Sequence, residues 1–234
     1  TVFQRAQIAT AAVDWSGAPA LGVSVDDLDP LQIERARQIL RSKNPSSGLI
    51  ELDTLSFLEG LEALRGGKVT HTGMLLFARR EVLSRHCPQA QFHYVFHDNE
   101  TTVARNDLER LPLLEAVERI ELIFSGPMNP EKEIEIGLFK LRIPQFPIEG
   151  VREAVLNALT HRDYQHPGEV LVRHSSGELV VTSPGGFVDG ITPESILRHE
   201  AVPRNRTLAN ALVKLRLVES SGIGRRRIFR SALV

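Results

Sequence analysis

The segment Ile148–His161, IEGVREAVLNALTH, constrains the fold of this chain more than any other stretch. Ile148, Val151, Val155, Ala158 and Leu159 recur at helical spacing and define one apolar stripe that must be buried against another element. Glu153, Asn157 and His161 follow one another at i, i+4 and i+8, so a carboxylate, an amide and an imidazole stack along a neighbouring stripe. A polar stripe beside a buried one, rather than opposite it, is placed to line a pocket. Residues 169–173 and 178–182 are short β-rich runs around the turn Ser175-Ser176-Gly177, which predicts a hairpin directly after the helix. A helix with one apolar stripe followed by a hairpin requires a helix-on-sheet layer, so the fold class is mixed α/β, or α+β.

The remaining pattern agrees with that class. Residues 31–41 and 54–64 carry helical spacing, the second through Leu55, Leu58, Leu61 and either Ala63 or Leu64, with Gly66 and Gly67 stopping it. The apolar run 73–78 and the alternating run 91–97 are both expected as strands. Helical spacing returns over 113–124, and 133–143 alternates imperfectly. Residues 14–30 are rich in Gly, Pro, Ser and Asp and predict a linker or surface loop. Three units follow: residues 1–30, a middle mixed α/β domain at 31–145, and a C-terminal domain at 146–234.

Several function classes can be set aside. The longest apolar runs fall far short of the ~20 residues that span a bilayer, so no membrane partner is expected. The single cysteine, Cys87, can form no internal disulfide, and this suits a cytoplasmic protein. A formal net charge of −1 gives no global drive toward nucleic acid, and the basic residues Arg225, Arg226, Arg227 and Arg230 form a local cluster. Gly67-Lys68 is not a P-loop, because Glu62 and Val69 stand where that loop needs a glycine and a hydroxyl residue. His161-Arg162-Asp163 is followed by Gly168 where a kinase catalytic loop carries asparagine.

The polar stripe has a chemistry of its own. An asparagine oxygen can ligate magnesium (Mg2+) while a carboxylate one turn away orients or deprotonates water. Glu and Asn four residues apart also occur on ordinary solvated helix faces, and spacing alone leaves both readings open. Two glycine loops flank the stripe in sequence. Ser183-Pro184-Gly185-Gly186 follows the hairpin, where glycines permit a close backbone approach. Thr192 with Pro193 signals a helix start, and Ser221-Gly222-Ile223-Gly224 precedes another that begins at Arg225. Free amides at such a start attract anions, and arginines in its first turn oppose the helix dipole unless a phosphate sits there.

The segments FPIEGVREAVLNALTHRDY, VVTSPGGFVDGITPESI, PRNRTLANAL and LVESSGIGRRRI, in this order, resemble the divergent ATPase domain of bacterial transcriptional regulators related to the RecG helicase. That domain is assigned to the superfamily of gyrase, histidine kinases and MutL (GHKL), which implies a Bergerat-like α/β sandwich behind the smaller mixed α/β domain. DWSGAPAL, THTGMLLFARR and PQAQF resemble the middle region of the same proteins, and residues 1–13 the tail of an AlbA-like, Schlafen-type DNA-binding domain. The resemblance implies ATP and Mg2+ as ligands, Glu153 as the water-activating carboxylate and Asn157 as the metal ligand. His161 closes the first motif. Ser183, Gly185 and Gly186 form the adenine-side loop, and Gly222, Gly224 and Arg225 the phosphate side. It also implies DNA contact mainly through an N-terminal domain and leaves a homodimer open, with weak ATPase activity or none and no helicase motor. One departure stands out: Ser183 occupies the place of an aspartate that accepts the adenine amino group. An alternative is a non-catalytic interaction scaffold that keeps the fold without its nucleotide.

Overall fold

The computed structural model describes residues 14–99, 102–186 and 203–218. Helix α1 (Pro30–Lys43) starts on the Asp29 side chain, which accepts the Leu31 amide, with Pro30 at the first helical position. Asp53 caps α2 (Thr54–Gly60) in the same way. The short strands β1 (Leu64–Arg65) and β2 (Lys68–Val69) are joined by Gly66 and Gly67 at φ 57° and 73°. Positive φ at both turn residues is what a two-residue hairpin of this hand requires. Helices α3 (His71–Phe77) and α4 (Arg80–His86) follow, then strands β3 (Gln91–His97) and β4 (Val103–Glu109) and helix α5 (Leu113–Phe124). The hairpin β5 (Glu131–Ile136) and β6 (Phe139–Pro144) leads into α6 (Ile148–His161), β7 (Glu169–Ser175), β8 (Leu179–Thr182) and α7 (Arg206–Lys214).

The central sheet has the order β4-β3-β7-β8, with β3 and β7 parallel and the outer pairs antiparallel. Alternation puts Phe92, Tyr94, Val170, Val172 and His174 on one buried face. Helix α6 covers that sheet along β7 and β8 and packs against α5. The result is a two-layer mixed α/β arrangement with the expected helix lying on the expected hairpin. The sheet takes two strands from before residue 146 and two from after it, and one continuous hydrophobic core runs from Ala20 to Leu217. A two-stranded hairpin alone is marginal in water, so β7 and β8 gain their burial by adding to β3.

Two sequence expectations are corrected. Residues 73–78 are not a strand; 73–77 belong to α3, in which Thr72 to Phe77 are all buried, and Ala78 caps its end. An apolar run without a period cannot tell a buried strand from a helix buried on every side. The local determinants are Thr70, whose hydroxyl accepts the Gly73 amide, and Gly73 itself. A Cβ there would lie 2.3 Å from the Ala63 carbonyl oxygen, so only glycine lets α3 sit this close to the preceding chain. Residues 14–30 are not a free linker either. They hold two 3-10 turns, bridge to Thr70 and Ala78 through Pro19 and Leu28, and bury Ser16. Among the described residues no helix is long and apolar enough to cross a membrane.

Candidate functional site

Helix α6 is aimed by its entry. Asn129, buried, accepts the Phe146 amide at 2.9 Å and donates to the carbonyls of Phe146 and Phe124 at 2.8 and 2.9 Å, so the chain enters α6 at a fixed point beside α5. Val151, Val155, Leu156 and Leu159 are buried beneath the helix. Glu153, Asn157 and His161 are half-buried on the adjoining stripe, as the spacing predicts. Asn157 Nδ2 donates to Glu153 Oε1 at 3.4 Å, which brings the two leading site residues into contact. That bond uses the nitrogen of the amide and leaves Oδ1 as the atom that can take a metal. One amide oxygen with one nearby carboxylate fits Mg2+, which keeps several waters and draws further ligands from phosphates.

Beyond His161 the chain turns on Arg162, which is fully buried and donates to the carbonyls of Gln89, Gly168 and His166 while lying over the Tyr164 ring at 5.2 Å. Burial lowers its pKa from the usual arginine range. Arg162 therefore ties the starts of β3 and β7 to the end of α6. Asp163 faces the glycine loop. Its amide donates to the Pro184 carbonyl at 2.9 Å, and a Cβ on Gly185, which has φ +103°, would lie 2.9 Å from the Asp163 Cβ. Gly185 is thus required by contact with Asp163, whereas a Cβ on Gly186 would meet open space. Ser183, half-buried, opens the loop.

The Asp163 carboxylate is heavily engaged. Oδ1 accepts the Gln165 amide at 2.9 Å, and Oδ2 lies 2.9 Å from His166 Nδ1 and 3.4 Å from Arg204 Nη1. Burial pushes its pKa up, but the Gln165 amide, His166 and Arg204 outweigh that and hold it below the usual carboxylate range. Arg204 also donates through Nη2 to the Gly186 carbonyl at 2.9 Å. The next residue, Asn205, is 2% exposed and gives both Nδ2 hydrogens, at 2.8 Å each, to the carbonyls of Thr160 and Arg162 at the end of α6. These are carbonyls that a helix end leaves without partners.

Helix α7 has a remote cap. Asp14 Oδ2 accepts the amide and hydroxyl of Thr207 at 2.8 and 2.6 Å, and Ser16 Oγ accepts the Leu208 amide. The carboxylate meets the positive end of the helix dipole. Burial raises the Asp14 pKa, and the hydrogen bonds from Ser16 and Thr207 more than reverse this. Trp15 stacks between His71 and Tyr164, at 4.0 and 5.3 Å. Sequence reasoning missed this clasp of Asp14, Arg204, Asn205 and Thr207. Asn205, just ahead of a helical run, carried the signal of a capping residue.

The structure therefore brings Glu153 to Asn157, and Ser183–Gly186 to the Asp163 turn at the far end of the same helix. Gly222, Gly224 and Arg225 lie outside the described residues, as do the tail at 1–13, Thr192 and the other C-terminal arginines. Two open clefts, of about 420 and 410 Å3, lie at the base of the β5–β6 hairpin and between α1 and Arg80, and neither is lined by Glu153, Asn157 or Asp163. Cys87 is a buried core residue whose thiol is pushed up to about 11 by burial.

Residues 168–233 match the family described as "Putative ATP-dependent DNA helicase recG C-terminal", and residues 4–93 match one described as "Domain of unknown function (DUF8451)". Helix α6, with Glu153 and Asn157, lies between the two matched stretches. No curated protein matches the chain. Among solved structures, the DIP2311 protein of Corynebacterium diphtheriae is 26% identical with a TM-score of 0.77, over 95% of this chain and 43% of that one. The chain spans less than half the length of that protein. Over residues 168–233, then, the chain is similar to the ATPase-like, RecG-related family, and its mixed α/β fold is shared with the corynebacterial protein.

Proposed function

We propose that the chain is a magnesium- and ATP-binding regulatory module of a bacterial DNA-associated transcriptional regulator, RecG-related but without a helicase motor, in which hydrolysis is slow or absent. The observation that carries this reading is the paired Glu153 and Asn157 on α6, followed by a glycine loop that docks at the end of the same helix and lies within a stretch similar to an ATPase-like family. Asn157 Oδ1 would hold Mg2+, which would supply positive charge to offset that of the nucleotide phosphates. Glu153 would orient or deprotonate water. Ser183, Gly185 and Gly186 would border the base, while Gly222, Gly224 and Arg225 would meet the phosphates, with His161 at the edge of the pocket. A net charge of −1 gives this chain little electrostatic drive of its own toward DNA, so DNA contact would come mainly through an N-terminal domain of the kind the resemblance implies.

Calorimetric titration with a non-hydrolysable ATP analogue, with and without magnesium, tests the reading. Asn157→Ala should abolish magnesium-dependent binding, and Glu153→Ala should keep binding while removing any phosphate release from ATP itself, followed in a separate assay. Equal binding by wild type and Asn157→Ala in magnesium sinks the role of Asn157. A site of about −4 kcal/mol is half filled near 1 mM ligand. No binding at that level favours a scaffold that keeps the fold without the nucleotide, a reading that the serine at position 183 supports.

A further inference from the structure

In the nucleotide-binding reading above, the loop at Ser183 lacks a charged acceptor for the base. The fold supplies one from another element. Asp163 leaves the end of α6 against this loop, its amide bonded to Pro184 and its Cβ in the space that a side chain at Gly185 would need. Its side chain keeps 15% of its surface exposed. A carboxylate offers about four lone-pair sites. Gln165, His166 and Arg204 use three of them. Arg204 grips the carboxylate with one nitrogen and the Gly186 carbonyl with the other, so acceptor and loop are held as one unit. An acceptor fixed in advance loses little freedom on binding.

We propose that Asp163 is the specificity-determining residue of the site: its remaining lone pair accepts the exocyclic amine of an adenine seated on the Ser183–Gly186 loop, in place of Ser183. Arg204 is then a positioning residue, acting through Asp163 and the Gly186 carbonyl.

The test compares ATP with purine riboside triphosphate, which lacks the amine, by calorimetry on the intact chain. Wild type should bind the amine-free nucleotide about tenfold more weakly or worse, as expected for loss of a bond to a charged acceptor. Asp163→Asn should shrink that ratio to about threefold or less, and Ser183→Ala should preserve it. If Asp163→Asn does not fold, Arg204→Lys, which keeps the charge but loses the two-pronged grip, should also shrink the ratio. A ratio near one in wild type, a ratio kept in full by folded Asp163→Asn, or a ratio erased by Ser183→Ala overturns the proposal while leaving nucleotide binding intact. Failure of wild type to bind either nucleotide removes both readings.

Discussion

Replacing Asn205 probes the clasp at the end of α6. Its amide is 2% exposed and donates twice, at 2.8 Å, to carbonyls that no other described group satisfies. Asn205→Ala leaves two buried acceptors, each costing about 1–3 kcal/mol, with some relief if water enters the vacated space. A net loss of about 2–4 kcal/mol follows. In a chain of this size each kcal/mol lowers Tm by about 2–4 °C, so the expected fall is on the order of 10 °C. Asn205→Asp is the sharper variant. Although nearly isosteric, it has no donor and points a negative charge at two carbonyl oxygens, so it should destabilise more than alanine does. Urea unfolding followed by circular dichroism should show both midpoints lowered with little change in slope. The reasoning fails if Asp is tolerated as well as Ala, or if Ala costs under about 1 kcal/mol.

His174 is fully buried among Phe96, Phe124 and Phe146, with Nδ1 2.9 Å from the Tyr94 hydroxyl, and burial lowers its pKa to about 4. An unfolded histidine titrates near 6.5, so this neutral form contributes stability that is complete above pH 6.5 and is lost as pH falls through 4. The full contribution is about 3 kcal/mol. The denaturant midpoint of wild type should fall relative to that of His174→Phe as pH is lowered across that window, and parallel curves would refute the assignment. Leu138 and Phe139, at 100% and 73% exposure on the β5–β6 hairpin, bury too little to support the fold. Leu138→Ser and Phe139→Ser should each change stability by no more than about 0.5 kcal/mol, and a larger loss by thermal melting would mean that the hairpin is covered in solution.

The parts legible in the sequence were those written in local periodicity. Helix α6, the β7–β8 hairpin, α5 and β3 follow from spacing that one element imposes on its own residues. Ambiguity entered at α3, where burial on every side removes the polar positions that give a helix its period. The mixed character of 14–30 hid a docked segment, because Asp14 and Ser16, besides bonding each other, find partners on the distant α7. Within the candidate site, the contact between Glu153 and Asn157 follows from i, i+4 spacing alone. The Asp163–Gly185 contact and the grip of Arg204 do not, since both join residues distant in sequence that only tertiary packing brings together.

The remote cap on α7 also bears on how the chain reaches its fold. Asp14 meets Thr207 across 193 positions, and β3 finds its parallel neighbour only when β7 exists. During synthesis the early residues emerge long before either partner, so β3 lacks one neighbour until the ribosome has passed residue 175 and the N-terminal segment stays unlatched from α7 until it has passed residue 207. Contacts of such sequence separation slow folding and leave apolar surface open meanwhile. Chains arrested before α7 should therefore depend on holding chaperones, and completion of that one helix should close the first and last described segments in a single step.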